Sequence, residues 1–431
     1  MTLKKLLFLS LALLSVNLKG QEVFKDTLKL TIQQADSAFI LQNLALLSEK
    51  CNINSAKAQI IQAKLFTNIT VAATQNVINN EYQAKGGQKW LDMTDKGETS
   101  AQIQKLFRLA GKRNKQIQIA ELTASREEQV YFDLLRSLKF SLRSDFYNLY
   151  YLRQIIRVYD KEIASMHKLI DGYQSQFEKG FISKKELLRL KSALFSLENE
   201  KIGFTTQIIS TQNDFNVMMH TTNIYYLPQF DAGSMMKLSP ENLKLQVLID
   251  TAYVHRYDLK MAQSDLNINT ANLSYQKALA VPDLTLSAGW DKNGGFIHNY
   301  NYIGVQIDLP FFNRNQGNIK SARFNLESSQ YKVKSAEDIV KSDVLGAYAN
   351  VLETNKLYNK FDNTFIADLD TLNQEMLRNF EKKNISLIEF LDYYDAYKEN
   401  AVQLNTLLYN RINAFENLNY TIGKDIITCK Y

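Results

Sequence analysis

The longest regular pattern in the chain is a spacing of three and four residues between apolar side chains, which extends over about 112–220. This heptad spacing is typical of helices that pack in a left-handed coiled coil. A polar break at 178–180 divides the pattern in two. The sequence therefore predicts a helical hairpin whose first arm, at roughly 65 residues and 1.5 Å per residue, would extend about 100 Å.

In front of this hairpin the helical period gives way to an alternation of apolar and polar residues. The alternation predicts strands at about 67–77 and 99–109, and it returns more strongly at about 282–292 and 300–311. Each predicted strand has about ten residues, which is the length of a tilted transmembrane β-strand. Aromatic side chains stand where such strands would meet the membrane interfaces, namely Trp290, Phe296, Tyr300, Tyr302, Phe311 and Phe312.

The second half of the chain repeats the order of parts found in the first half. The segment NINSA at 52–56 reappears as NINTA at 267–271, within predicted helices at 32–65 and 240–280 that open the two copies. A second heptad hairpin follows at 316–422. Matches in one order along the chain indicate a tandem duplication of a helix-strand-strand-helix-turn-helix unit.

The first residues of the chain have the features of a secretory signal peptide. Lys4 and Lys5 stand before an apolar run at 6–16 that is too short to cross a bilayer as a helix. Two of the four prolines and a Gly-Ser pair mark a linker between the copies. The predicted organisation is a signal peptide at 1–20, a first repeat at 21–220, a linker at 221–240, a second repeat at 241–424 and a tail at 425–431.

Four predicted strands are too few to close a sheet, because about eight are needed around even a filled interior. An open sheet in lipid would leave two unpaired edges, where each exposed backbone group costs several kcal/mol. Cyclic association of identical chains removes both edges, and three copies would supply twelve strands. The sequence thus predicts a mainly α fold with a membrane β-barrel that only an oligomer completes.

Composition and charge narrow the classes of function. At 45% hydrophobic and 22% charged residues, the chain has the composition of an ordinary folded protein. Three of the six net positive charges belong to the predicted leader, and the remaining +3 is too small and too evenly spread for a nucleic-acid partner. Beyond the leader, no apolar stretch is long enough to predict a transmembrane helix.

The sequence offers no pattern of a catalytic, cofactor or metal site. The four histidines share no ligand spacing, and Cys51 and Cys429 form neither a CxxC motif nor a disulfide framework. No Ser-His-Asp, Cys-His or nucleotide-binding arrangement is present. We therefore predict a protein that is not an enzyme and that uses no cofactor or metal ion.

Three short motifs lie at strand ends and at a hairpin tip: AVPDLTLS at 280–287, IDLPFFNR at 307–314 and KGFIS at 179–183. They look like the Pro-[Asn/Asp]-Leu strand start, the Leu/Ile-Pro-[Leu/Phe]-Phe-[Asn/Asp] strand end and the Gly-x-x-Ser hairpin tip of one family. With their placement in a duplicated plan, they make the chain resemble the TolC-type outer-membrane efflux protein family over about residues 28–424.

The resemblance implies a homotrimer in the outer membrane of a Gram-negative cell. The trimer would form a twelve-stranded β-barrel in outer-membrane lipid and a tunnel of twelve α-helices in the periplasm. That tunnel would meet a periplasmic adaptor protein and an inner-membrane transporter. The chain departs from the family at Thr67, where a strand-start proline is expected, and at Lys383, where a tip glycine is expected. No Cys follows the leader to carry the lipid anchor of some relatives.

The resemblance also points to residues at the narrow end of the tunnel. The family's acidic pair after the second hairpin tip matches Glu389 and Asp392, while the first copy has Glu186 and Arg189. Residues three apart share one helical face. Three copies would therefore bring six carboxylates to one aperture, an arrangement that favours cations. The alternative is that these carboxylates are solvated side chains on a coiled coil.

The two hairpin tips form the second set of candidates. At each tip a serine can cap the returning helix, with Glu186 and Glu389 as capping-box partners. Phe181 and Ile182 are apolar residues at an exposed tip, which also favours docking of an adaptor's helical hairpin. The candidate docking residues are Gly180, Phe181, Ile182, Ser183, Asn384, Ile385 and Ser386.

The predicted function is that of an outer-membrane exit duct in a tripartite efflux or type I secretion system, with gating by opening of the hairpin tips. One alternative is a periplasmic coiled-coil scaffold or adaptor that never enters the bilayer. Another is an exported enzyme. Drugs, metal ions, polypeptides and siderophores all stay open as cargo, and the partner pump could run on protons or on ATP.

Overall fold

A computed structural model describes residues 26–75, 99–231, 233, 239–241, 243–293, 298–361 and 363–426 of the chain. The predicted signal peptide, Phe296 and the last five residues of the predicted tail lie outside these ranges. The chain divides into two compact units, one with residues 1–44, 135–248 and 344–431 and the other with residues 45–134 and 249–343.

The helices and strands of the second half follow the same order as those of the first. The first half contains β1 (Asp26–Leu30), α1 (Ile32–Gln42), α2 (Leu44–Lys64), β2 (Ile69–Gln75), β3 (Thr99–Phe107), α3 (Lys112–Glu178) and α4 (Lys184–Met218). The second half contains β4 (Ile224–Pro228), α5 (Leu245–His255), α6 (Tyr257–Leu279), β5 (Leu284–Asn293), β6 (His298–Ile307), α7 (Gln316–Tyr358), α8 (Asn363–Glu381) and α9 (Leu387–Ile422).

Four of these strands form one antiparallel sheet, in the order β2-β3-β5-β6. The register pairs Val71 with Ile103, Ile103 with Ala288, and Ala288 with Ile303. Because directly opposed residues share a face, this row and the rows two residues away form a mainly apolar face, which also carries Lys105 and Asn301. Its side chains are open to solvent in one chain, with Val71 72% and Ile303 87% exposed.

The opposite face of the sheet is polar. It carries the row Thr70, Gln104, Ser287 and Gly304, and the next row places Tyr302 opposite Gly289. The Tyr302 ring lies directly over Gly289, so that a β-carbon at residue 289 would stand 2.4 Å from it. The period-two alternation in the sequence therefore corresponds to a sheet with one apolar and one polar face.

The segment predicted as a linker contains a strand, β4, which pairs in parallel with β1. Its four residues before the proline are Ile, Tyr, Tyr and Leu, which favour strands. The side-chain amide of Gln212 binds both backbone groups of Tyr226, accepting from its N–H at 2.9 Å and donating to its carbonyl at 2.7 Å. The buried Tyr226 ring also lies 4.8 Å from that of Phe215.

The helix that opens each copy is interrupted once, although its sequence predicts a continuous helix. Asn43 separates α1 from α2, and Arg256 separates α5 from α6, both with an extended ψ of 119°. Asn43 donates its amide to the Met218 carbonyl at 3.0 Å. Arg256 is buried and donates to the carboxylates of Asp258 and Asp343 at 2.6 and 2.9 Å. Tertiary hydrogen bonds thus hold both breaks.

The outgoing arm of the second hairpin consists of two helices, α7 and α8, rather than the single helix that its heptad predicts. The N–H groups of Lys360 and Phe361 bond three residues back, at 3.1 Å each, which tightens the last turn of α7. Arg411 of α9 donates to Asn355 at 3.1 Å and lies 4.1 Å from the Tyr358 ring. This buried guanidinium fixes where α7 ends.

The apolar seams of the first hairpin are buried as the heptad predicts. The fully buried side chains in the unit that contains residues 135–248 include Leu149, Met166, Leu190 and Phe215. Among the described residues, no helix is both long and apolar enough to cross a membrane.

Candidate functional site

The first hairpin tip begins with a Schellman motif at the end of α3. Gly180 has φ +79°, the left-handed conformation that glycine adopts without strain. The N–H of Phe181 donates to the Gln176 carbonyl and that of Gly180 to the Phe177 carbonyl, at 2.9 Å each. These two bonds satisfy carbonyls that the helix end leaves open. Phe181 itself is 73% exposed at the tip.

A capping box at Ser183 then starts α4. Glu186 accepts from the Ser183 N–H at 2.9 Å, and the Glu186 N–H donates to the Ser183 hydroxyl at 3.3 Å. The hydrogen bonds from the Ser183 N–H and hydroxyl, followed by the charge of Lys383, hold the pKa of Glu186 below its usual value. The predicted capping box at this tip is therefore confirmed, and the Glu186 carboxylate takes part in it.

The second tip has the same backbone pattern. Lys383 occupies the glycine position with φ +61°, and the N–H of Asn384 donates to the Asn379 carbonyl at 2.9 Å. Ser386 and Glu389 form a capping box like that of the first tip. The hydrogen bonds from Ser386 hold the pKa of Glu389 below its usual value. The missing glycine thus leaves the turn intact but places a lysine in a strained conformation.

The two hairpins of one chain share a hydrophobic core just behind their tips. Ile182 and Ile385 are partly buried against it, so only Phe181 of the apolar tip residues is fully presented. An aromatic stack runs through this core, with Phe380 of α8 and Phe390 of α9 4.4 Å apart. Tyr173 of α3 stacks on the same Phe380 at 5.4 Å. Because the stack joins both hairpins, their tips are held together within the chain.

A polar contact, which we call the inner clasp, lies deeper in the same core. Glu162 of α3 is only 1% exposed, and its carboxylate accepts from the Asn373 amide of α8 at 3.0 Å. The Tyr394 hydroxyl of α9 donates to the Glu162 backbone carbonyl at 2.5 Å. Burial, and then the Glu162 charge, raise the pKa of Tyr394, which therefore keeps its proton. The inner clasp joins three helices of both hairpins.

A second polar contact, the outer clasp, repeats this connection. Glu200 of α4 accepts from Lys398 of α9 at 2.9 Å and from the Tyr159 hydroxyl of α3 at 2.9 Å. Burial alone would raise the pKa of Glu200, but these hydrogen bonds outweigh it and hold that pKa below its usual value. No pattern in the sequence predicted either clasp. Glu162 stands one position from the apolar seam, and only packing of the second hairpin buries it.

The predicted aperture residues are on the surface of one chain. Glu389 is exposed and accepts hydrogen bonds within its own capping box. Asp392 and Arg189 are also exposed, and within the described part of the chain neither side chain takes part in a hydrogen bond or ion pair. Both capping boxes agree with the reading of Glu186 and Glu389 as helix caps. Their place at an aperture remains a prediction that depends on the assembly.

The described residues contain no cluster of three or more His, Cys, Asp or Glu side chains that could hold a metal ion. They do expose apolar side chains at heptad spacing. On α4 these are Leu188, Phe195, Ile202 and Ile209, and on α7 they include Phe324 and Tyr331. Such stripes at intervals of seven residues are typical of a coiled-coil seam that lacks its partner helix.

Comparison with known proteins identifies the fold. Residues 248–423 match the sequence profile of the outer membrane efflux protein family. The CmeC outer membrane channel of Campylobacter jejuni is similar, with a TM-score of 0.74 and 11% identity over 92% of this chain and 87% of that one. The outer membrane protein VceC of Vibrio cholerae gives a TM-score of 0.71 and 15% identity over 91% and 96%.

A curated relative is the cobalt-zinc-cadmium resistance protein CzcC of Cupriavidus metallidurans. It is 20% identical over 241 residues, which are 54% of either chain. The chain therefore spans about half the length of this curated relative. The resemblance drawn from the sequence motifs is confirmed by the match of residues 248–423 to this family.

Proposed function

Residues 248–423 belong to the outer membrane efflux protein family, and from this we propose that the chain is an outer-membrane exit duct. It would pass substrate from a pump complex that spans the periplasm to the exterior of a Gram-negative cell. The system would be a tripartite efflux or type I secretion machine. The observation that carries the proposal is the four-stranded sheet, which has one apolar and one polar face and two open edges.

The open edges argue for a trimer. Strands β2 and β6 end the sheet, so among the described residues each presents one row of backbone groups without a partner strand. In lipid this would cost several kcal/mol per group. Three copies joined edge to edge would form a closed barrel of twelve strands, with the apolar face towards lipid and the polar face towards the lumen.

The exposed helical stripes support the same assembly. The stripe on α4 would pack against a helix of a neighbouring copy, as a coiled-coil seam does. Repeated around a three-fold axis, the paired arms would enclose a tunnel of twelve helices in the periplasm. At its end the tips would meet an adaptor protein and an inner-membrane transporter.

We place the gate of the proposed tunnel at the hairpin tips. The two clasps connect the first hairpin to the second in each chain and would hold the tips in their closed arrangement. Glu389 and Asp392 of three copies would line the aperture, with Glu186 and Arg189 at the matching places of the first hairpin. The clasps are then the contacts that must break when the tips move apart.

Two adjacent residues of β3 test whether the sheet enters the membrane. Ile103 belongs to the apolar face and Gln104 to the polar face. We would place a single tryptophan at either position in a background without Trp90 and Trp290, and reconstitute each protein in brominated lipid. Ile103→Trp should be quenched by the lipid bromines and Gln104→Trp should not.

The alternative function is a periplasmic coiled-coil scaffold or adaptor, and the same experiment distinguishes it from the proposed duct. A scaffold would show no quenching at either position, whereas the duct should also form conducting channels in a planar bilayer. Absence of both quenching and conductance would refute the proposed duct.

A further inference from the structure

The two hairpin tips share a backbone but carry different side chains. From 178 to 191 the first tip has five basic and two acidic residues, whereas the matching segment from 381 to 394 has two basic and three acidic. The exposed Phe181 of the first tip corresponds to Asn384 of the second. Since both sequences build the same turn and capping box, the fold of the tip does not require the basic residues.

The basic side chains of the first tip are available for a partner. Lys179, Lys184, Lys185 and Arg189 are exposed, and in the part of the chain that the structure describes none of them has an ion pair. Glu186 forms no ion pair with them in the described part of the chain, because its carboxylate accepts from the N–H and the hydroxyl of Ser183 at 2.9 and 3.0 Å. With five basic and two acidic residues, the tip presents an excess of positive charge around one apolar side chain.

Two of these lysines stand where the helix itself disfavours them. Lys184 and Lys185 are the first two residues of α4. The N-terminal end of a helix carries a partial positive charge, so cations in this first turn are destabilising. The second hairpin has Leu387 and Ile388 at the same places. A contribution to the stability of the hairpin does not explain the lysines, and a contact outside the chain does.

We propose that the first hairpin tip, and not the second, docks an acidic protein surface. Phe181 would enter an apolar pocket of the partner, and the lysines around it would pair with carboxylates at the rim. One aromatic anchor surrounded by charges is typical of a protein interface, whereas a single aromatic is a small apolar area for binding to a membrane. The inference rests on the proposed function, which supplies a periplasmic partner for the tips.

Two matched probes test the charge preference. The purified full-length protein in detergent is titrated with two synthetic antiparallel helical hairpins that share a leucine-lined tip, one edged with glutamates and one with glutamines. We expect the glutamate hairpin to bind roughly tenfold more tightly at low salt. The preference should shrink as salt screens the charges, at about 0.5 M.

Variants assign the preference to the first tip. Lys184→Gln with Lys185→Gln should abolish it while leaving α4 folded, because the change removes unfavourable charge from a helix start. Phe181→Ala should weaken binding of both probes. The matched control, Lys382→Gln with Lys383→Gln on the second tip, should keep the preference.

Three results would overturn the inference. They are equal binding of the two probes by the unmodified protein, a preference that survives the change at Lys184 and Lys185, and binding to phosphatidylglycerol vesicles but to neither probe. Channel conductance of the same preparation separates this outcome from failure of the proposed function. A conducting protein without the preference refutes only the acidic partner, whereas a protein that shows neither conductance nor quenching at Ile103→Trp refutes the duct.

Discussion

The inner clasp makes a specific prediction about gating. Tyr394→Phe removes one hydroxyl, which donates to the Glu162 carbonyl at 2.5 Å, and keeps the ring in the aromatic stack with Phe390. A hydrogen bond of this kind contributes about 0.5–1.5 kcal/mol net. If three clasps hold a trimer closed, the closed state loses about 1.5–4.5 kcal/mol. The ratio of open to closed channels should rise by between about tenfold and a thousandfold.

Single-channel recording in a planar bilayer measures this ratio directly. The chain provides a matched control in Tyr393, the neighbouring tyrosine, which is exposed. Tyr393→Phe removes the same hydroxyl without touching the clasp and should conduct like the unmodified protein. We expect Tyr394→Phe to spend more time in open states and to reach higher conductance. If the Tyr394 and Tyr393 variants gave the same current records, the clasp would not be part of the gate.

Three further changes test strain, packing and burial of charge. Lys383→Gly should slow amide hydrogen exchange at the second tip by relieving a φ of +61°, with up to about 1 kcal/mol gained. Gly289→Ala should lower the temperature at which the oligomer dissociates, since the outer atoms of the Tyr302 ring must move away from the new β-carbon, and Tyr302→Ala should restore that temperature. Burial, and then the charge of Asp214, raise the pKa of Asp145 to about 7. The contribution of the protonated Asp145 carboxyl to the free energy of unfolding should therefore be full below about pH 4 and be lost as pH rises through 7. Asp145→Asn should abolish this fall of the melting temperature with pH. If the melting temperature of this variant depended on pH as that of the unmodified protein does, the raised pKa of Asp145 would be contradicted.

The spacing of apolar and polar residues predicted those helices and strands in which all residues of one face have the same kind of environment. The alternation at 284–291 and 303–307 predicts strands because every second side chain shares one environment. The heptad through Leu149 and Met166 predicts burial for the same reason. The capping box at the first tip was also predictable from the sequence, since Ser183 and Glu186 have the required spacing. These features depend on neighbours within a few residues.

Features held by distant residues were missed. The break at Arg256 depends on Asp343, which lies 87 positions away, and the end of α7 depends on a buried arginine from α9. Glu162 has nothing in its local sequence that predicts burial, because its partner Asn373 is 211 positions away. The aperture pair depends on other copies of the chain, so neither the sequence nor one protomer places it.

The pairing of β1 with β4 has a consequence for how the chain matures. The amino-terminal strand at 26–30 gains its partner only at 224–228, so more than half of the polypeptide must be present before it can be fixed. Contacts of such long sequence separation form late and slowly. The two duplicated halves are therefore not independent modules. A product truncated before residue 224 would keep an unpaired strand near its amino terminus and be vulnerable to proteases.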